Sequence, residues 1–238
     1  MLSALGYGLL AASSLVLGAG LALIRPWPPR AVGLVLAFGA GALISAVSFE
    51  LAGEGLEVGS TATVAIGLAA GALTYFVLDG LVSGKGRGRR GRKKAENPGT
   101  SLALGALLDG IPEQLVLGLG LAAGEGVGVG LLVAIYVSNL PEGIGSAADM
   151  RAAGKSGRSI FWLWVRVAIV CTAATVAGFA LADVTAGEFR AGIDGFAAGA
   201  LLVMLVDSMI PEASRDGGRA AGLATVLGFA LATGLSAV

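Results

Sequence analysis

The residues best suited to chemistry are a few polar side chains set in long apolar runs. Asp109 and Glu113 stand four apart, Ser138 and Asn139 precede Glu142, and Asp207 and Ser208 precede Glu212. Residues four apart share one face of a helix. Each group repeats a pattern, a polar residue, two others, then Pro-Glu: Asp109-Gly-Ile-Pro112-Glu113, Ser138-Asn-Leu-Pro141-Glu142 and Ser208-Met-Ile-Pro211-Glu212. A carboxylate near the middle of a bilayer costs about 2.5 to 3.5 kcal/mol on insertion scales, so each one requires a partner or a task. Proline inside a helix removes a backbone hydrogen bond, and Pro112 and Pro141 would free the carbonyls of Leu108 and Val137. Two glutamates, an aspartate, an amide, a hydroxyl and loose carbonyls form an oxygen-rich cage suited to a divalent cation, whose charge offsets the carboxylates. In a soluble protein Pro-Glu would mark a first helical turn. The first two copies lie deep inside apolar runs, which disfavours that reading; the third lies near the end of its run, where a helix end and a pathway role fit equally.

The elements that must position these groups are membrane spans. Of 238 residues, 55% are hydrophobic and only 13% charged, and the mean hydropathy is +0.85, so water is not the main solvent of this chain. The 40 glycines sit largely within apolar runs, where they permit close approach of helices in lipid. Stretches long enough to cross a hydrocarbon core of about 30 Å lie near 3–24, 31–52, 61–82, 100–123, 127–150, 159–182, 189–213 and 219–237. The expected fold is therefore all-α, a single transmembrane domain over 1–238 built as a bundle of eight helices. The N-terminus lacks a basic region ahead of its apolar run and reads as the first span. Cys171 is the one cysteine, which excludes a disulfide framework or a thiolate cluster.

Charge is distributed unevenly although the formal net charge is zero. Arg25, Arg30, Arg151, Lys155, Arg158, Arg215, Arg219 and the seven basic residues of segment 83–99 all fall in odd-numbered connections. Glu54, Glu57, Glu125, Asp183 and Glu188 fall in even-numbered ones, with Arg190 at an edge. The positive-inside rule then places the odd connections in the cytoplasm and both termini outside. The basic loop over 83–99 reads as a topology anchor at anionic lipid, and nucleic acid is not an expected partner.

At the three Pro-Glu steps the sequence resembles the ZIP metal transporters, in the bacterial branch related to GufA. The resemblance implies eight spans, extracytoplasmic termini, a long cytoplasmic loop between spans three and four, and a mid-membrane metal site formed by spans four and five. Carried over by residue, Glu113 and Glu142 match the family's Pro-Glu ligands, Asp109 stands where span four usually has His, and Ser138 and Asn139 occupy the ligand positions of span five. Ser45 and Ser48, in the Gly-rich second span, are implied to border the pathway, as are Asp207, Ser208 and Glu212. Gly110 and Gln114 depart from the motif, and the chain has no His at all. Without imidazole the site is a harder, all-oxygen one. Arg166 in span six reads either as a snorkelling residue or as a fixed charge beside Glu113 or Glu142, where some relatives hold a second metal.

The function this implies is transport of a divalent cation, zinc, manganese, iron or cadmium, across a bacterial inner membrane, by elevator-like movement and without an ATP-driven step. No Walker A sequence is present. The metal is the substrate, the bilayer is the other partner, and a homodimer is the oligomer allowed for. A degenerate homologue acting as an ion-binding sensor or scaffold is the alternative favoured by the missing His and by Arg166. An intramembrane enzyme using Asp109 and Glu113 lacks a nucleophile or an H-E-x-x-H motif, so the chain is not read as an enzyme. The charge asymmetry makes one direct prediction. A reporter fused at position 90 reads as cytoplasmic and one fused after Val238 as extracytoplasmic, and the opposite pattern would invert the topology.

Overall fold

The computed structural model describes residues 1–82, 98–122, 129–182 and 187–236, with the side chains at 82, 98–106, 108, 109, 129, 130, 182 and 236 outside the description. The basic segment expected at 83–99 and the turn around 124–126 thus lie almost wholly outside the described residues. Eight helices follow in order: α1 (Leu2–Ile24), α2 (Pro29–Val58), α3 (Thr61–Val82), α4 (Pro98–Ala122), α5 (Val129–Ala152), α6 (Gly157–Ala182), α7 (Glu188–Gly217) and α8 (Ala220–Ser236). No strand occurs among the described residues. Six of the helices are long and apolar enough to cross a membrane. In the remaining two the apolar described stretches are shorter, Gly110–Ala122 of α4 and Ala220–Leu235 of α8.

α2 and α7 are each longer than the apolar pattern suggests, and each contains a π-helical stretch, Val47–Gly53 and Leu205–Met209. In α7 the stretch lies just before Pro211, which has no N–H to give to the preceding turn, and the helix runs on to Gly217. The third Pro-Glu step is therefore inside a continuous helix, not at its end. In α2 the Ser48 hydroxyl donates to the Ile44 carbonyl at 2.7 Å and competes with the backbone ladder. Two-residue reversal between α7 and α8 requires Gly218, whose φ of 62° is open to glycine at little cost.

The helices sort into two bundles. α1, α4, α5 and α6 form one, with α4 against α6 and α1 against both α5 and α6; α2, α3, α7 and α8 form the other, with α3 against α7 and α2 against α8 and α7. Two separate apolar cores correspond in part to this division, one centred on Leu36, Leu43 and Leu201 and the other on Leu15, Ile160 and Trp164. The bundles meet chiefly where α2 crosses α5. Large apolar side chains such as Ile66, Leu73 and Phe76 on α3 and Leu223 and Leu227 on α8 point outward, as lipid-facing residues do.

Close crossings are made by glycine. A methyl group added at Gly118 would strike the Thr175 carbonyl oxygen, one at Gly178 the Leu115 carbonyl, and one at Gly71 the Phe196 carbonyl. In lipid there is little hydrophobic force between helices, so such backbone approach is a main source of cohesion. Gly118→Val is expected to destabilise the fold by about 1–3 kcal/mol or more through overpacking, seen as a lowered Tm in detergent. Gly120→Ala, where nothing lies within 4 Å of an added Cβ, should melt as the parent does. Equal melting of both variants would contradict the α4–α6 crossing.

Candidate functional site

The three Pro-Glu steps, spread over α4, α5 and α7, converge. Glu113, Glu142 and Glu212 line one cavity of about 40 Å³ together with Ser146, Ser208, Leu36, Met204 and Met209. That volume suffices for a small cation or for water. α4 and α5 touch each other only over a small area, each being packed mainly elsewhere, on α6 and α1 respectively. Space for the cavity therefore lies between the two Pro-containing helices and against α7, at the junction of the bundles.

Glu113 is only 2% exposed, while Glu142 and Glu212 are half-buried. Ser138 and Asn139, one turn before Glu142, are buried, and the Ser138 hydroxyl donates to the Ile135 carbonyl at 3.0 Å. Depth at this point is fixed from α2: Gly39 faces Ser138 so closely that a Cβ would lie 2.7 Å from the Ser138 Cα. On the opposite side of α5, Gly143 abuts the Leu15 carbonyl of α1 at 2.5 Å for an added Cβ. α5 is thereby held on both sides at the level of its Pro-Glu step. The carboxylate of Asp109, one turn before Glu113, lies outside the described side chains, and among the described residues no three of His, Cys, Asp and Glu come together closely enough to hold one metal.

Gln114, the departure from the family motif, turns away from the cavity. It is fully buried, and its Oε1 accepts a hydrogen bond from the Thr175 hydroxyl of α6 at 2.5 Å. Its Nε2, like Nδ2 of Asn139, is buried with no acceptor among the described residues. A buried amide left in this condition costs about 1–3 kcal/mol, a cost met at both steps of the site. Gly110 fits against Cys171, whose Sγ would lie 2.8 Å from an added Cβ.

Several polar residues singled out from sequence stand elsewhere. Ser45 is buried against α8, sharing a 2.8 Å hydrogen bond with Thr233. Ser48 is exposed and bonded to its own helix. Arg166 is exposed on α6, on the side of snorkelling, and does not line the cavity. Asp207 is half-buried in the π-helical stretch of α7, next to the cavity-lining Ser208. Conversely, Met204, Met209, Ser146 and Leu36 line the cavity without having been anticipated. Met209 lies inside the third Pro-Glu pattern and was legible from it; the other three carry no local signal.

A second, larger cavity of about 230 Å³ opens at the end of the molecule where α1, α5 and α7 finish and α2 begins. It shares Ser146 and Glu212 with the first. Arg151 closes the end of α1 there by donating to the Leu23 carbonyl at 2.9 Å. At the other end, charged groups tie α2, α3 and α7 together. Arg190 donates to both carboxylate oxygens of buried Asp194 at 3.2 and 3.0 Å and pairs with Glu54 at 3.5 Å, and Glu188 accepts from Ser60 N–H at 3.0 Å.

Buried carboxylates at the junction of two helical bundles mark a candidate functional site in a membrane protein. The family is shown by comparison: residues 88–236 match the model described as "ZIP Zinc transporter", and the chain belongs to that family. It is also 28% identical over 192 residues to a candidate zinc transporter of Arabidopsis thaliana, a match that covers 79% of this chain and 31% of the plant protein. The chain thus spans about a third of the length of the curated relative it matches.

Proposed function

We propose that the protein carries divalent metal cations across the membrane, and that Glu113 and Glu142 bind the ion together while Asp109 and one or both of Ser138 and Asn139 complete its shell. The observation that carries this reading is the meeting of Pro-Glu glutamates from separate helices in one cavity within the apolar body. Carboxylates that face each other in low dielectric repel, and a divalent ion between them removes that cost. Ser208 lines the first cavity, and Ser146 and Glu212, which line both, extend the path into the larger one. By the positive-inside rule the larger cavity opens to the cytoplasm, so this is an inward-facing arrangement. The ties at the other end support closure there. Division into two bundles supports movement of one against the other as the transport step.

Oxygen donors dominate the site, and the Met204 and Met209 thioethers beside them add soft, polarisable lining. Discrimination among zinc, manganese, iron and cadmium should therefore be weaker than at an imidazole site, and Asp109→His should shift preference toward zinc. In proteoliposomes, Glu113→Gln and Glu142→Gln keep shape and remove charge. Each is expected to lower metal uptake by at least the roughly 10–100-fold associated with outer-shell partners of metals. Uptake by the double variant equal to the parent's would place the pathway elsewhere; no uptake by a folded parent that binds metal would favour a sensor or scaffold.

A further inference from the structure

Gln114 stands about 100° round α4 from Glu113, so that while Glu113 lines the cavity its neighbour in sequence is directed at α6. The Thr175 hydroxyl donates to Gln114 Oε1 at 2.5 Å, and both side chains are fully buried. Pro112, two residues earlier, has no N–H for the carbonyl four residues back, so the backbone ladder of α4 is one bond short just where Glu113 is presented. The glycine crossings that bring α4 against α6 lie on either side of this point, Gly110 meeting the Cys171 Sγ and Gly118 the Thr175 carbonyl oxygen. Thr175 is itself held from a third helix: a Cβ on Gly8 of α1 would lie 2.9 Å from both its Cβ and its Oγ1. Packing alone does not call for an amide here. Gln114 Nε2 is buried with no acceptor among the described residues, a cost that Leu or Met would avoid.

We propose that Gln114 and Thr175 are a positioning pair, whose hydrogen bond fixes the rotation of α4 past Pro112 so that the Glu113 carboxylate is aimed into the cavity it shares with Glu142. Neither residue lines that cavity, and both act through Glu113. Contacts between glycine and a facing backbone set how closely two helices approach but only weakly how each is turned about its axis. A hydrogen bond requires direction as well as distance. The pair joins α4 to α6, within one bundle, so it stays made when that bundle shifts against the other, and Glu113 keeps its aim through the transport cycle. The proposal rests on the transport reading given above, and it gives the glutamine that departs from the motif a task.

Cd²⁺ uptake into proteoliposomes is measured against Cd²⁺ concentration, beside Tm in detergent, for the parent, Thr175→Val, Thr175→Ser and the double variant Gln114→Met with Thr175→Val. Valine keeps the shape of threonine and removes the hydroxyl, whereas serine keeps the hydroxyl and removes a methyl. Expected in Thr175→Val is a Cd²⁺ concentration for half-maximal uptake raised about tenfold, the low end of the loss seen when groups that orient metal ligands are removed, with little change in maximal rate. Thr175→Ser should take up Cd²⁺ as the parent does even where its Tm is lower. The double variant, relieved of the unpaired amide, should melt at or above the parent and still show the raised half-saturation. Half-saturation that follows Tm across the set, equal shifts in Thr175→Val and Thr175→Ser, or parental uptake by the double variant would make the pair structural and overturn the proposal alone. A folded parent that takes up no metal would overturn it together with the reading it rests on.

Discussion

The constraint on which this structure depends is the cost of carboxylates in a medium of low dielectric. Glu113 is almost fully buried and Glu142 and Glu212 are half-buried, and a buried uncompensated charge is expensive. The fold brings all three to the lining of one cavity, from separate helices.

Holding charges at a fixed separation in lipid requires rigid scaffolding without a strong hydrophobic force between helices. Glycine supplies it. Gly118 and Gly178 lock α4 to α6, and Gly39 and Gly143 clamp α5 from α2 and α1 at the level of Glu142. The contact between α4 and α5 themselves is slight, so the two helices that contribute the principal glutamates are each positioned by a third party. That arrangement leaves room for an ion between them. It also places the cavity against α7 of the other bundle, where a relative shift of the bundles would change which end of the path is open.

Much of this was legible in the sequence, and the reasons are physical. Span number and limits follow from hydropathy and from the alternation of basic and acidic connections, and the eight helices begin and end within a few residues of the apolar runs except in α2 and α7. There the sequence marks Pro211 and Ser48 but not how the chain absorbs them, because a π-turn is a tertiary accommodation. The Pro-Glu repeat identifies Glu113, Glu142 and Glu212 because a carboxylate in an apolar run is conspicuous. Partners across helices are not conspicuous: periodicity gives the face a residue occupies on its own helix and not the helix it meets. Hence Ser45 bonds Thr233, Gln114 bonds Thr175, and Arg166 faces outward, while Met204 and Ser146 reach the cavity unannounced.

The claim most worth testing is that the cavity between α4, α5 and α7 is where a metal ion resides. Anomalous diffraction from crystals of the intact protein soaked in Cd²⁺ measures this directly. The account predicts a principal anomalous peak between the carboxylates of Glu113 and Glu142. A principal peak at the opposite end, among Glu54, Asp194 and Glu188, with none between Glu113 and Glu142, would contradict it.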